Sequence, residues 1–127
     1  MLNRKWKTGD KVDIAFPMSL RLVATNDNPD IAAVMYGPVV LAGDMGKEGI
    51  NPPAPFARDQ LDYRRLAIPG NISSTLDVKG RKLNDWLKPV QGNPLEFKTS
   101  GATQGEITMI PFYRINRQRY VIYWNLE

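Results

Sequence analysis

IAAVMYGPVVLA, residues 31 to 42, is the stretch that decides the fold. Its apolar side chains run almost without a break, and such a run carries no period of its own, so a buried helix and a pair of short buried strands fit it equally. Gly37-Pro38 separates the two readings. Proline lacks the amide donor a helix needs and its ring clashes with the preceding turn, so no regular helix passes through residue 38. Val39-Val40-Leu41 is strongly β-prone. The segment reads as two short buried strands around a kink.

The chain on the N-terminal side agrees. Val12, Ile14 and Phe16 alternate with Lys11, Asp13 and Ala15, which gives an extended segment one apolar face, and Thr8-Gly9-Asp10 supplies a turn before it. Beyond Pro17, Met18, Leu20 and Leu22 alternate with Ser19, Arg21 and Val23. A proline between two such runs marks an edge position or a bulge. Phe16 and Leu20 are thereby assigned to the core. Asn26-Asp27-Asn28-Pro29-Asp30 gathers turn formers in one place, so the chain reverses there.

On the C-terminal side, residues 44–62 read as a long surface loop, because Asn51-Pro52-Pro53-Ala54-Pro55 locks several backbone angles and removes amide donors. Tyr63 to Ile68 is expected to return as a strand. Leu83, Trp86 and Leu87 fall at i, i+3 and i+4, enough for one helical turn that Pro89 closes. Leu95-Glu96-Phe97 restarts an extended pattern, and residues 101–105 form a turn. Glu106 to Ile115 and Arg119 to Trp124 are expected to pair as a closing hairpin across Asn116-Arg117-Gln118, with Tyr120, Ile122 and Trp124 on its core face. No repeat or heptad is present. The fold expected is mostly β, an antiparallel β-sandwich of jelly-roll type with at most one or two short helical turns, formed by residues 1–127 as a single domain.

Composition removes several chemistries. The 127 residues include no cysteine and no histidine, so no disulfide framework, thiolate metal site or Ser-His-Asp or Cys-His nucleophile can be built from this chain. Seventeen basic and 13 acidic side chains leave a net charge of +4, spread from Arg4 to Arg119 without the concentrated stripe that nucleic-acid binding requires. The longest apolar run is far shorter than the roughly 20 residues of a membrane helix. Neither nucleic acid nor membrane is expected as a partner. No signal peptide is legible, and the compartment is not readable from the sequence. Met1 precedes what reads as the middle of a strand, and Leu126-Glu127 is a dipeptide that cloning sites leave, so a domain excised from a larger protein is expected.

Candidate sites are few. Asn26 to Asp30 offers oxygens to calcium, but it lacks the EF-hand spacing and reads as a plain turn. Asp59, Asp62, Asp85, Glu96 and Glu106 sit in polar or turn contexts, where solvated carboxylates are the rule, although a glycosidase needs a carboxylate pair roughly 5 to 10 Å apart. Trp6, Tyr113 and Tyr123 are the candidates for a carbohydrate-stacking surface, since flat rings pair apolar faces with polar edges. No catalytic residue, metal site or cofactor is assigned.

Three segments, WKTGDKVDIAFPMSLRLVATNDNPDIAAVMYGPVVLAGDMG, LNDWLKPVQGNPLEFKTSG and IPFYRINRQRYVIYW, together resemble the C-terminal part of proteins grouped with glycoside hydrolase family 127, the β-L-arabinofuranosidase-like enzymes of the domain-of-unknown-function 1680 group. The last is the most specific. It resembles the family pattern Pro-Phe-Tyr-x-Ile-His-x-x-Arg-Tyr-x-x-Tyr-Trp, with Asn116 where the pattern has histidine. The resemblance implies a parent with a catalytic (α/α)6 barrel followed by β-sandwich domains. The family's zinc-bound cysteine nucleophile and its acid have no counterpart here. What is implied is a non-catalytic accessory domain that packs against the barrel of its own parent chain and contributes to subunit contacts, a homodimer among them. Arg114, Arg117 and Arg119 are then expected on the interdomain face, where a planar guanidinium satisfies several acceptors at once. A carbohydrate-binding module is the alternative.

Overall fold

The chain is mostly β in the computed structural model, which describes residues 3–48, 50, 69–70, 72–100 and 105–127. Among those residues the strands are β1 (Leu20–Ala24), β2 (Ile31–Tyr36), β3 (Val39–Asp44), β4 (Thr75–Leu76), β5 (Leu87–Val90), β6 (Asn93–Thr99), β7 (Thr108–Pro111), β8 (Tyr120–Val121) and β9 (Tyr123–Leu126). One helical turn, α1 (Leu83–Trp86), precedes β5, and a 3₁₀ turn covers Phe112–Arg114. The deciding stretch is two strands as its composition requires. Gly37 takes φ 55°, a left-handed conformation that glycine adopts without steric cost, and turns β2 into β3.

All strands belong to one sheet in the order β4-β9-β2-β3-β7-β6-β5, with β1 on the free side of β2 and β8 on β3. Among the described residues only β4 and β9 pair in parallel. Leu76 of β4 and Leu87 of β5 come from opposite ends of that order, yet both lie in one core cluster with Val34, Leu41, Trp86, Phe97, Met109 and Trp124. The sheet therefore curls until its inner face encloses a single core. Leu83 and Trp86 place α1 in the same cluster as Leu20, beside β1.

The end of the chain does not form the expected hairpin. β7 leaves its strand at Pro111 for the 3₁₀ turn, and β8 and β9 pair with other partners: Val121 and Tyr120 with Gly43 and Asp44 of β3, and Tyr123 to Asn125 with Ala33 to Ile31 of β2. β2 and β3 pair with each other only next to their turn, through Val34 to Tyr36 and Val39 to Leu41. Past that point they splay, and residues 120–126 fill the fork. Because β8 is antiparallel to β3 and β9 to β2, while β2 and β3 oppose each other, the inserted segment must turn a corner at Ile122.

Two core assignments are corrected, one of them by that corner. Trp124 is fully buried and Leu20 half-buried against the core, but Tyr120 is 47 % exposed because the bend at Ile122 breaks the alternation that would have aligned it with Trp124. Ile122 itself is half-buried. Phe16 is 79 % exposed: residues 11–19 are not in a strand, and among the described residues no strand pairs with them to give their apolar face a layer to cover. Most of the proline-rich loop at 44–62, the strand expected at Tyr63 to Ile68, Asp59 and Asp62, and most of the turn at 101–105 fall outside the described residues; Asp44 belongs to β3.

Candidate docking face

Residues paired across an antiparallel ladder project to the same side of the sheet, so the registers sort the side chains into two faces. The inner face carries Leu20, Val34, Tyr36, Leu41, Met109, Phe97 and Trp124, all core or packed on the core. Gly43 is inner as well, because a Cβ placed on it would point into the Trp124 ring.

The outer face divides in two. Over β5 and β6 it carries Lys88, Glu96 and Lys98, the charged pattern of a wetted sheet. Over β1, β2, β3 and β7 the same positions hold Val23, Ala33, Met35, Val40, Ala42 and Ile110, with Arg21 the charge among them. Arg21 Nη2 reaches the Met35 sulfur at 3.4 Å, which confirms that the two share a side. Antiparallel strands with one solvated face alternate apolar and polar, so this half of the sheet has the composition of a strand layer covered on both sides. The continuous apolar run at residues 31–42 was the sequence signal for it.

Aromatic rings border that area. Val121 packs inward opposite Gly43, which turns Tyr120 outward, and Trp124 turned inward leaves Tyr123 outward with 59 % of its surface exposed. Phe112, exposed at the start of the 3₁₀ turn, meets Tyr120 with ring centroids 5.3 Å apart and planes tilted by 53°. Tyr113 is 67 % exposed and lies 5.9 Å from the Arg114 guanidinium. Sequence reasoning placed Tyr113 and Tyr123 at the surface; it missed Phe112 and Tyr120, whose exposure follows from the 3₁₀ turn and the corner at Ile122.

The other expected site residues divide by place. Trp6 is exposed on the N-terminal arm, stacked under the Arg4 guanidinium at 5.0 Å while Arg4 also pairs with Asp10 at 3.2 Å. The three arginines do different work. Arg119 is half-buried; its side chain donates to the Glu48 carbonyl, and its backbone exchanges hydrogen bonds with Met45 and Gly46, tying the segment after β3 to β8. Arg114 pairs with Glu96 at 3.5 Å. Arg117 is exposed at the tip of the connection with φ 51°, a left-handed conformation costly for a side chain with a Cβ.

Such strain predicts a gain on its removal. Arg117→Gly should leave the chain as stable as the parent or more stable by about 1 kcal/mol, since glycine occupies this backbone region freely. Chemical denaturation measures it, and a loss above about 1 kcal/mol would show that the Arg117 side chain holds the fold.

The remaining oxygen-rich segments are structural. Asn28 closes its turn with its carbonyl accepting from Thr25 Oγ1 at 2.8 Å and from the Ile31 amide at 3.2 Å, while its Oδ1 accepts from the Asp30 amide at 3.0 Å. Glu106 pairs with Lys98 at 3.7 Å on the surface. Among the described residues no cluster of acidic side chains has metal-binding geometry.

A family model described as a domain of unknown function, DUF4986, matches residues 21–126. No curated protein matches the chain.

Proposed function

The chain belongs to the DUF4986 family, and the family match takes in the sheet from Arg21 of β1 to Leu126 of β9 while leaving the N-terminal arm outside; from that premise we propose a non-catalytic accessory β-domain of a larger carbohydrate-active protein. Its outer face packs against a catalytic barrel in the same parent chain, of the kind the resemblance to glycoside hydrolase family 127 implies. The apolar half of the outer sheet face carries this reading. Within this area Ala33 and Ala42 are already buried and Val23 is exposed, so the exposed surface left for a contact is Val23 with the rings of Phe112, Tyr120 and Tyr123, and burying each large side chain stabilises a complex by about 1.5 to 3 kcal/mol. Arg117, exposed at the tip of the connection before β8, suits the polar rim of such a contact.

Tyrosine labelling tests it. Tyr113, Tyr120 and Tyr123 should all react with a small phenol-directed reagent in the isolated chain, and Tyr120 and Tyr123 should be protected in the longer parent protein. Equal reactivity in both would end the docking role. The alternative is a carbohydrate-binding module, favoured by the exposure of Tyr113 and Tyr123. Stacking on a sugar needs open, flat rings, whereas Phe112 and Tyr120 are tilted against each other. Saturable chemical-shift changes at Trp6, Tyr113 or Tyr123 on titration with arabino-oligosaccharides would move the assignment to that reading.

A further inference from the structure

Arg21 carries a fork of N–H donors, and among the described residues no carboxylate pairs with it, although Arg4, Lys79, Lys98 and Arg114 each have one. Its Nη2 reaches the Met35 sulfur instead, at 3.4 Å, in an exposed contact across the β1–β2 ladder. A thioether sulfur is a weak acceptor, so the guanidinium stands beside an atom that gives it little. The other methionines in the described residues lack this arrangement. Met109 is fully buried, Met18 rests against Gly37, and the Met45 methyl group lies beside Gly43. Among the described residues no donor reaches any of those three sulfurs.

We propose that Met35 is a methionine-oxidation site, its oxidant a hydroperoxide and its sulfoxide held by Arg21. A sulfur lone pair attacks the hydroxyl oxygen of the peroxide. The S–O bond forms as the O–O bond breaks, and the proton on the transferred oxygen passes to the departing one, which leaves as water or an alcohol. Sulfur gives up two electrons and the peroxide takes them. The Arg21 N–H groups stabilise the charge that develops on the peroxide oxygens and then donate to the sulfoxide oxygen, a charge-assisted hydrogen bond far better than the one to sulfur. A sulfoxide sulfur is a stereocentre, and the guanidinium stands on one side of it, so one epimer dominates. Oxidation also exchanges an apolar side chain between Arg21 and Val40 for a polar one. Any contact made by the apolar half of the outer face is weakened by that change, but the oxidation site itself does not rest on the docking role.

Limited hydrogen peroxide treatment of the 127-residue chain tests it. The chain is then digested, and the Met35 peptide is treated with the two methionine sulfoxide reductases, each of which reduces one epimer, and weighed by mass spectrometry. One epimer should exceed the other about threefold or more, the preference that one hydrogen bond supports. Arg21→Leu, at an exposed position, should bring the epimers close to equality and slow oxidation at Met35 about threefold or more, with the rate at Met45 unchanged. Arg21→Lys keeps a donor and should retain part of the preference. Near-equal epimers in the parent chain would overturn the proposal, as would a preference that survives Arg21→Leu. Failure here leaves the outer-face docking role untouched, since that role is read from tyrosine protection.

Discussion

Trp124→Ala is expected to cost about 3 to 5 kcal/mol of folding stability, the range of large aromatic truncations in a packed core. Trp124 is wholly buried where residues 120–126 enter the fork between β2 and β3, and it packs with Val34, Leu41 and Met109. Its removal opens a cavity where residues 120–126 enter the fork, against Gly43 of β3. A domain of this size has roughly 5 to 15 kcal/mol in total, so the loss removes from about a fifth to all of its stability. Trp124→Phe should cost less. Among the described residues the buried indole Nε1 finds no hydrogen-bond partner, and phenylalanine discards that unpaired donor along with the lost volume. Urea unfolding followed by far-ultraviolet circular dichroism decides it. A midpoint for Trp124→Ala near that of the parent would mean that the fork closes without the indole.

Gly43→Ala, a change of one methyl group, is expected to cost about 1 to 3 kcal/mol by overpacking the same place. A Cβ on Gly43 would stand 2.5 Å from Cζ2 and 2.7 Å from Cη2 of Trp124. The backbone is not the obstacle, since Gly43 lies in β3 without a positive φ. The obstacle is a rigid ring with no free space to retreat into. Two comparisons identify the cause. Gly70→Ala, with nothing within 4 Å of its added carbon among the described residues, should be close to neutral. In a Trp124→Leu background, Gly43→Ala should cost clearly less than in the parent, the non-additivity expected of residues in direct contact. Equal costs in both backgrounds would place the strain elsewhere.

Gly43 and Trp124 also mark the boundary of what sequence patterns reveal. The two strands around Gly37-Pro38, the helical turn at Leu83 to Trp86, the extended segment containing Phe97 and the burial of Trp124 were all legible, because each rests on a local rule of periodicity or proline geometry. The small residue at 43 was legible too, but its reason was not. That reason is an indole 81 positions later in the chain (124 − 43), and nothing near Gly43 announces it.

The candidate face follows the same division. Residues 31–42 read from their composition as two short buried strands, and Tyr113 and Tyr123 stand out as aromatic residues near the end. Tyr120 was read as core, since alternation through Ile122 puts it beside Trp124, and it proves to be surface. Period-2 alternation assumes a straight strand, whereas the strand here bends in order to serve two partners that diverge.

The sequence by itself determined the secondary-structure class, the turn between β2 and β3, the absence of cysteine and histidine chemistry, and the core role of Trp124. Only the tertiary structure decided which strands are neighbours, where the chain turns its corner, and which half of the outer face is apolar. Alternation tells a strand which side to bury but not whom to pair with. The pairing of residues 120–126 is set by the fork that β2 and β3 leave open, far away in the chain.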